Sequence, residues 1–349
     1  MVFYKQTAGM NMSRRRALKK LSALGATAAL GTIPSPGFAS ERESATLAYG
    51  SAGYTWAVPF VAENADLWKK HNVDLKVVDF PTGRDSLQAL LSNSANFSTS
   101  TDSPFVFAVL QGLRPLALAN YSRYSYDMKI VIRDGSGIQT DAPDTLRGKK
   151  IGTPPGTSGH YALAKYLEFA NLKTSDITQV NLGAGDLVGA LIRGDIDAFS
   201  WTAQAGNAAI KQSGGKVSFM TQDGYEKFFR SHQLLLTNHA TFEQRKPLLA
   251  NALGALLEAE HYIQTEPSWP ELIAARIRST PEEIKTFTST YEFKLLFDES
   301  FLDDLVTQAQ WAISTKLVAE PKQDLRQLFR SAIADQSLRA VSPSLVTLS

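Results

Sequence analysis

The amino-acid sequence predicts an α/β protein built from two doubly wound lobes. Short apolar runs alternate with segments of helical period after Ser44, and the same alternation starts again near Gly148. Strands separated by helices in this way form largely parallel sheets that are covered by helices. The chain has 349 residues, which exceeds the ~250–300 residues at which a single hydrophobic core usually stops growing. Two lobes of this kind enclose a cleft.

The elements follow in a regular order. In the first half we predict strands over residues 45–50 and 73–79 and helices over residues 55–71 and 83–92. The second alternation predicts strands over 151–153, 177–182 and 197–200, with helices over 161–171 and 185–193. Beyond residue 241 the apolar spacing is helical, over 245–265, 281–291, 300–316 and 322–335. Thr280 and Glu283 have the spacing of a capping box, and these last helices are expected to pack on the first lobe.

The N-terminus has the composition of an export signal. Three consecutive arginines, Arg14 to Arg16, precede a modest apolar run over residues 21–33 and small residues up to Ala39. This pattern is typical of the bacterial twin-arginine route, and the run is too short for a membrane span. We therefore expect residues 1–39 to be a cleaved signal peptide. Met1, Met10 and Met12 remain alternative start sites.

Charge and cysteine content exclude several classes of function. The first 39 residues hold six Lys or Arg and no acid, which leaves 30 basic against 34 acidic residues, a net charge of −4. We expect no nucleic-acid binding from this balance. The sequence has no cysteine, which argues against disulfides, thiolate metal sites and a lipid-modified N-terminal cysteine. We expect no metal and no cofactor.

Three loops of the first lobe supply candidate ligand contacts, because ligands of open α/β folds bind at the carboxyl ends of the strands. The first loop offers Tyr54, Thr55 and Trp56, and Trp56 has packing beneath the helix as its alternative. The second offers Gly83 and Arg84, whose guanidinium either meets an anion or pairs with Asp85. The third offers Thr101 and Asp102, with capping of the following helix as the alternative for Asp102.

The second lobe supplies the remaining candidates. A glycine-rich turn with Thr157, Ser158, Gly159 and His160 opens a helix, whose first N–H groups have no intrahelical partner and attract anions. His160 has a purely structural role as its alternative. The helix pattern from Asp85 is echoed from Asp186, which gives Asp186 either a cleft position or a capping role. Trp201 follows a strand and is expected to form a wall of the cleft.

Three segments together resemble one known family. They are VVDFPTGRDSLQALLSNSANFSTSTDSP, GTSGHYALAKYLEFANLKTSDITQVNL and LIRGDIDAFSW. Their order and spacing resemble the substrate-binding proteins of nitrate, sulfonate and taurine ABC importers, a family that includes NMT1/THI5-like proteins, over residues 46–246. Two departures stand out. Ser98 and Ser100 replace family glycines, and Thr202-Ala203-Gln204 stands where the family has an acid or proline after the aromatic residue.

The resemblance implies a type II periplasmic binding protein fold with a hinge. We predict lobe one over residues 41–133 and 240–349 and lobe two over residues 134–239. The implied function is capture of a small organic anion, a sulfonate or an aromatic carboxylate, for an inner-membrane ABC permease with its cytoplasmic ATPase. The implied protein is a soluble periplasmic monomer. The alternatives are a sensor, a binder of thiamine-pyrimidine precursors or another heterocycle, and an enzyme on the same fold. The enzymes of the family depend on cysteine, which this chain lacks.

Overall fold

A computed structural model describes residues 42–50 and 53–349. The signal peptide expected over residues 1–39 lies outside these residues. In the described part, none of the helices combines the length and the apolar character that crossing a membrane requires.

Ten strands alternate with fourteen helices in the described residues. The strands are β1 (Glu43–Gly50), β2 (Val73–Phe80), β3 (Phe97–Thr101), β4 (Leu116–Tyr124), β5 (Met128–Arg133), β6 (Lys150–Thr153), β7 (Thr178–Asn181), β8 (Ala198–Thr202), β9 (Val217–Phe219) and β10 (Ser231–Thr237). The helices are α1 (Ala57–Asn64), α2 (Leu67–Lys70), α3 (Gly83–Leu91), α4 (Asp102–Leu110), α5 (Ser158–Phe169), α6 (Leu187–Arg193), α7 (Ala203–Gln212), α8 (His239–Gln244), α9 (Lys246–Thr265), α10 (Trp269–Ile277), α11 (Pro281–Thr288), α12 (Glu299–Ser314), α13 (Leu325–Ser331) and α14 (Asp335–Val341).

The strands form two five-stranded sheets, each with one antiparallel strand. The first has the order β2-β1-β3-β10-β4, and β10 runs antiparallel to both of its neighbours. The second has the order β7-β6-β8-β5-β9, and β5 is the antiparallel strand. In each sheet the four parallel strands therefore end at one edge, where the antiparallel strand begins. This confirms the predicted two-sheet α/β architecture.

The chain passes between the sheets twice. It leaves β4 for β5 through residues 125–127 and returns from β9 to β10 through residues 220–230. Both crossings join the carboxyl edge of one sheet to that of the other, so these two edges face each other. Strand β5 pairs with β8 and therefore belongs to the second sheet, and β10 pairs with β3 and belongs to the first. The predicted lobe ranges put the residues of β5 in lobe one and those of β10 in lobe two, which is the reverse. The lobes as moving bodies stay a prediction.

The C-terminal helices pack on the first sheet and form the first half of the molecule together with it. The second sheet and its helices form the second half. Leu253 and Leu256 of α9, Ile273 of α10 and Phe301 of α12 are buried in the same apolar cluster as Leu47 of β1. The predicted packing of these helices on the first lobe is confirmed. Two smaller clusters lie on either side of the second sheet.

Several element boundaries differ from the predicted ones. The helix expected over 55–71 is divided into a 3-10 turn (Tyr54–Trp56), α1 and α2, and Asp66, which adopts a left-handed conformation with φ of 55°, separates α1 from α2. The last predicted strand of the second lobe is followed by α7, which the sequence analysis missed. The capping box of α11 is present, since Thr280 and Glu283 each accept a hydrogen bond from the other's backbone N–H.

Candidate ligand-binding cleft

Two helices from opposite sheets meet at their N-termini. Helix α4 continues from β3, α5 follows the loop after β6, and the N-cap residues are Thr101 and Thr157. Neither threonine caps its helix with its side chain, and the Thr157 hydroxyl instead donates to the Pro154 carbonyl at 2.7 Å. The Ser158 hydroxyl donates to Thr101 Oγ1 at 2.6 Å. Partial positive charge from two helices is therefore concentrated at one buried hydrogen bond between the sheets.

Asp102 is fully buried and fully engaged in hydrogen bonds. Its Oδ1 accepts from the Ser103 amide at 2.9 Å and the Ser231 hydroxyl at 2.6 Å. Its Oδ2 accepts from the His232 amide at 3.1 Å and Gln308 Nε2 at 2.5 Å. These four bonds fill the acceptor positions of a carboxylate. Asp102 therefore joins α4 to β10 and α12, and we leave it out of the proposed ligand site.

Several buried oxygen atoms near the facing edges have no hydrogen-bond partner in the described part of the chain. They are Ser122 Oγ, Asp127 Oδ2 and Gln233 Oε1. Ser122 and Gln233 pair across β4 and β10, and Asp127 lies in the first crossing. The Tyr124 hydroxyl lies beside Ser158. Buried polar atoms without partners are rare in proteins, so this group marks a place suited to a polar ligand.

None of these residues was predicted from the sequence. The sequence feature that could have indicated them is the polar and aromatic run SRYSYD over residues 122–127, directly after the apolar part of β4. Nothing in the sequence indicates Gln233, because it stands between the polar Ser231 and His232 and the three leucines of β10.

The loop after β1 contributes contacts of a different kind from those expected. Trp56 is buried, and its indole N–H donates to Thr99 Oγ1 at 2.9 Å beneath the helix. Thr55 Oγ1 accepts from Gln233 Nε2 at 2.5 Å. Tyr54 is buried and stacks on Phe287 with ring centroids 5.2 Å apart. Trp56 therefore takes its alternative, packing role.

Tyr54 also connects the two halves of the molecule. Its hydroxyl lies 3.1 Å from Ser279 Oγ and 3.3 Å from Asn207 Nδ2 of α7. On the same side, Lys211 of α7 pairs with Glu283 of α11 at 2.6 Å. Helix α7 thus contacts the α10–α11 region through both neutral and charged groups.

Gly83 and Arg84 lie where β2 passes into α3. A Cβ at Gly83 would approach Ser100 Cα within 3.0 Å, so glycine lets α3 pack directly against β3. Arg84 Nη1 donates to the Pro155 carbonyl at 2.7 Å, and its Nε lies 3.9 Å from Asp85 Oδ1. Arg84 therefore bridges to the second half while it remains about half exposed.

His160 lies in the first turn of α5, between the loop after β6 and α12. Its ring lies 5.3 Å from that of Trp311 of α12 in an edge-on arrangement, and its Nδ1 accepts from the Gly156 amide at 3.3 Å. Burial lowers the pKa of His160. His160, Arg84, Phe107 and Leu317 border a surface groove of about 280 Å³. An organic group of a ligand has room in this groove, beside the Arg84 side chain.

Gly159 and Trp201 pack against each other. A Cβ at Gly159 would lie 2.6 Å from Trp201 Cε3 and 2.8 Å from the Ser200 carbonyl oxygen. Trp201 is 7 % exposed and belongs to an apolar cluster with Phe199 and Leu187. Trp201 therefore supports the α5 N-terminus from behind, in addition to the wall role that we predict.

Asp186 lies apart from the other predicted site residues. It is exposed before α6, which follows the edge strand β7, and its side chain does not cap the helix. In residues 42–50 and 53–349, no cluster of three or more His, Cys, Asp or Glu is arranged to hold a metal ion.

A known family matches the greater part of the sequence. The sequence model of a family described as NMT1/THI5 like matches residues 55–269. This range includes most of both sheets and every element that meets in the cleft except β1 and the C-terminal helices.

Individual relatives give a consistent description. A putative aliphatic sulfonates-binding protein of Escherichia coli is 29% identical over 159 residues, which are 45% of this chain and 49% of that protein. The taurine-binding periplasmic protein of Escherichia coli is 28% identical over 183 residues, which are 52% of this chain and 54% of that protein. The chain spans about half the length of the curated relatives it matches.

A solved structure extends the likeness of fold to nearly a whole molecule. The alkanesulfonate-binding protein SsuA from Xanthomonas axonopodis pv. citri, bound to MOPS, superposes with a TM-score of 0.70 at 17% identity. The superposition covers 84% of this chain and 99% of that one. At this identity the likeness shows the fold, which is that of periplasmic binding proteins.

Proposed function

Because the chain belongs to the NMT1/THI5-like family, we propose that it is an extracytoplasmic solute-binding protein of an ABC importer. It captures a small organic anion between its two halves and delivers it to a permease in the inner membrane, which works with a cytoplasmic ATPase. In this proposal the protein is an exported, soluble periplasmic monomer that uses the twin-arginine route. The relatives are described as binding proteins rather than enzymes.

The observation that carries this proposal is the meeting of α4 and α5. The two N-termini come from different sheets, and the hydroxyls of Thr101 and Ser158 already bond across the gap at 2.6 Å. An anion placed there would accept hydrogen bonds from both hydroxyls and from amides of both helices. The ligand would thereby hold the two halves together, which is how a binding protein couples capture to closure.

The predicted residues take different parts in this proposal. Thr101, Thr157 and Ser158 surround the anion, and Gly159 lets α5 approach. Arg84 and His160 border the outer groove, where an organic substituent has room. Thr55 and Tyr54 hold the loop after β1, and Trp201 forms the backing wall.

The proposal is tested by thermal shift of the purified protein against four classes of compound: alkanesulfonates, nitrate, aromatic carboxylates and pyrimidines. A ligand that binds only the folded state raises the midpoint of unfolding by mass action. We expect a concentration-dependent rise with organic anions and a smaller or no rise with nitrate, which cannot occupy the organic part of the site.

Two outcomes would contradict it. A rise with pyrimidines alone would favour the heterocycle binder that the family also includes. No rise with any anion, in protein shown by mass spectrometry of the denatured extract to be free of co-purified ligand, would remove capture of organic anions as the function.

A further inference from the structure

Each of the two crossings between the halves contains an arginine next to an aromatic residue. These dipeptides are Arg123–Tyr124 at the end of β4 and Phe229–Arg230 just before β10. Strands β4 and β10 pair antiparallel, with His232 opposite Arg123, so the two dipeptides lie next to each other. Both covalent connections between the halves therefore pass through one narrow region.

Both arginines are bound to helix α12, which belongs to the first half. Arg123 Nη2 donates to Asp298 Oδ1 at 2.9 Å and to its Oδ2 at 3.0 Å. Arg230 donates from Nε to Asp304 Oδ2 at 2.5 Å and from Nη2 to Oδ1 at 2.9 Å. Asp298 is the N-cap of α12, and Asp304 lies inside the helix. One helix thus holds the first-half end of both crossings.

These pairs differ from ordinary surface ion pairs. The Asp298 and Asp304 side chains are only 21% and 18% exposed, so water screens the pairs less than it screens exposed ones. Arg230 places two nitrogens on two oxygens, a geometry that fixes direction as well as distance. Asp304 Oδ2 also lies 2.8 Å from Nε2 of the buried His232. The pairs therefore hold the crossings in a defined position.

The aromatic members of the dipeptides pack on other parts of the molecule. Phe229 is buried in the apolar cluster of Tyr161, with ring centroids 5.7 Å apart. Tyr124 belongs to the same cluster with Met128 of β5, and its ring also lies 5.7 Å from that of Tyr291. At the second crossing the chain therefore passes from one half to the other between two consecutive side chains, and at the first it does so around Tyr124.

Helix α12 also holds one side of the candidate ligand site. Gln308 Nε2 donates to Asp102 Oδ2 at 2.5 Å, and the Ser103 hydroxyl donates to Gln308 Oε1 at 2.7 Å. Asp102 and Ser103 are the first residues of α4. The anchors of both crossings and the N-terminus of α4 are thus fixed to one helix, whereas Ser158 and α5 lie on the other side of the gap.

We propose that α12 is the mount of the hinge, to which its two arginine–aspartate pairs fix the crossings, and that the second half turns about the dipeptides Arg123–Tyr124 and Phe229–Arg230. This inference rests on the proposed function, in which the halves move. Arg123 and Arg230 are then positioning residues, which do not touch the ligand but set how α5 returns to α4. Without one pair, closing has to order a longer flexible crossing, so ligand affinity falls.

Distances between the halves test this inference in the unliganded protein. The chain has no cysteine, so spin labels attach only at introduced positions, Asp74→Cys in β2 and Asp186→Cys before α6, both of which are exposed. Pulsed electron–electron resonance gives the distribution of label-to-label distances. We expect Arg230→Gln to broaden this distribution. Arg230→Lys keeps the charge but cannot bond through two nitrogens, and it should broaden the distribution less.

Ligand affinity gives a second readout, which a purely structural role would not change. In calorimetric titration with propanesulfonate, Arg230→Gln should bind roughly threefold to tenfold more weakly than the unsubstituted protein. Arg330→Gln is the matched control. Arg330 of α13 also places two nitrogens on the two oxygens of one acid, Asp335, at 3.3 and 3.0 Å, away from both crossings. Its loss should leave the distances and the affinity unchanged.

The outcomes separate the hinge from the proposed function. An unchanged distance distribution in Arg230→Gln, or equal broadening in Arg330→Gln, overturns the inference. Failure of the unsubstituted protein to bind propanesulfonate counts against the proposed function, while the distances still decide the inference, because they need no ligand. If Arg230→Gln disturbs folding, Arg230→Lys decides in its place, and a distribution identical to that of the unsubstituted protein then overturns the inference.

Discussion

Single residues set how closely a helix packs on its sheet. Gly159 is an example, because the first turn of α5 lies against the backbone of β8 and the indole of Trp201. One contact that a Cβ would make, with the Ser200 carbonyl, involves backbone that has little freedom to move. The side chain of Ser200 also donates to the Gly159 carbonyl at 2.8 Å. The position of the α5 N-terminus therefore depends on the absence of a methyl group at Gly159.

Replacing Gly159 by alanine should lower the free energy of unfolding by roughly 1–3 kcal/mol, the usual cost of overpacking. Gly185→Ala is the matched control, since a Cβ there meets nothing within 4 Å, and it should change stability by less than about 0.5 kcal/mol. Urea unfolding of both variants measures the difference. Equal stabilities would show that α5 can shift away from β8 without cost.

At the scale of residues, the sequence predicted several of the loops that meet between the sheets, but not which way each side chain points. Thr101, Thr157 and Ser158 were predictable because helix N-termini have a recognisable residue pattern. Asp102 and Trp56 were ambiguous, since the direction of a side chain at the end of a strand depends on partners distant in sequence, here Gln308 and Thr99. Tyr124 and Asp127 were not predicted, because the run SRYSYD shows a change to polar and aromatic residues but not that the chain crosses between the sheets there.

At the scale of elements, the pairing of α4 with α5 is the central feature. Each helix is preceded by a parallel strand whose carboxyl end lies at the facing edge, so both dipoles point into the gap. The direct hydrogen bond between Thr101 and Ser158 occupies this gap and satisfies two hydroxyls. An anionic ligand would replace it with stronger, charge-assisted hydrogen bonds.

Ser158→Ala should weaken the binding of any anion found in the ligand screen by roughly tenfold, because one hydrogen bond to a charged group is lost. Ser175→Ala, in the exposed turn before β7, is the control and should bind normally. Calorimetric titration gives both affinities. Unchanged affinity in Ser158→Ala would place the anion elsewhere than at the α5 N-terminus.

The alternation of strands and helices made most elements predictable. The antiparallel strands β5 and β10 were not predicted, and the predicted lobe ranges put their residues in the opposite lobes, because an apolar run does not show which sheet it will join. Their pairing is decided by the two crossings, each of which carries the chain to the other sheet before the next strand forms. The break at Asp66 was also hidden, since a left-handed residue inside a helical pattern does not change its apolar period.

At the scale of the whole molecule, the buried acids affect the pH dependence of stability. Burial raises the pKa of both Asp102 and Asp127 from 3.8 to about 6. Between these values the folded state binds more protons than the unfolded chain, so these groups make the protein less stable as the pH rises from about 4 to about 6 and beyond. The lowered pKa of His160 acts in the opposite sense.

The Asp127 contribution can be isolated by comparing variants. Relative to the unsubstituted protein, Asp127→Asn should gain about 1 kcal/mol in stability when the pH is raised from 5 to 7, since the amide never ionises. The opposing effect of His160 cancels in this difference. Urea unfolding of the variant and of the unsubstituted protein at pH 5, 6 and 7 measures it. If the stability of Asp127→Asn relative to the unsubstituted protein fell with rising pH, the ionised Asp127 carboxylate would not be destabilising the folded state.

The contact of Trp311 with His160 and Tyr161 has a practical consequence. Trp311 belongs to α12, which packs with the first sheet, whereas His160 and Tyr161 belong to α5 at the second, with ring centroids 5.3 and 5.0 Å from the indole. Indole emission depends on the polarity and the quenching groups around the ring, so separating α5 from α12 would alter it. The protein thus contains its own optical reporter of the gap between its halves. Rapid-mixing fluorescence on unlabelled protein would time each opening and closing.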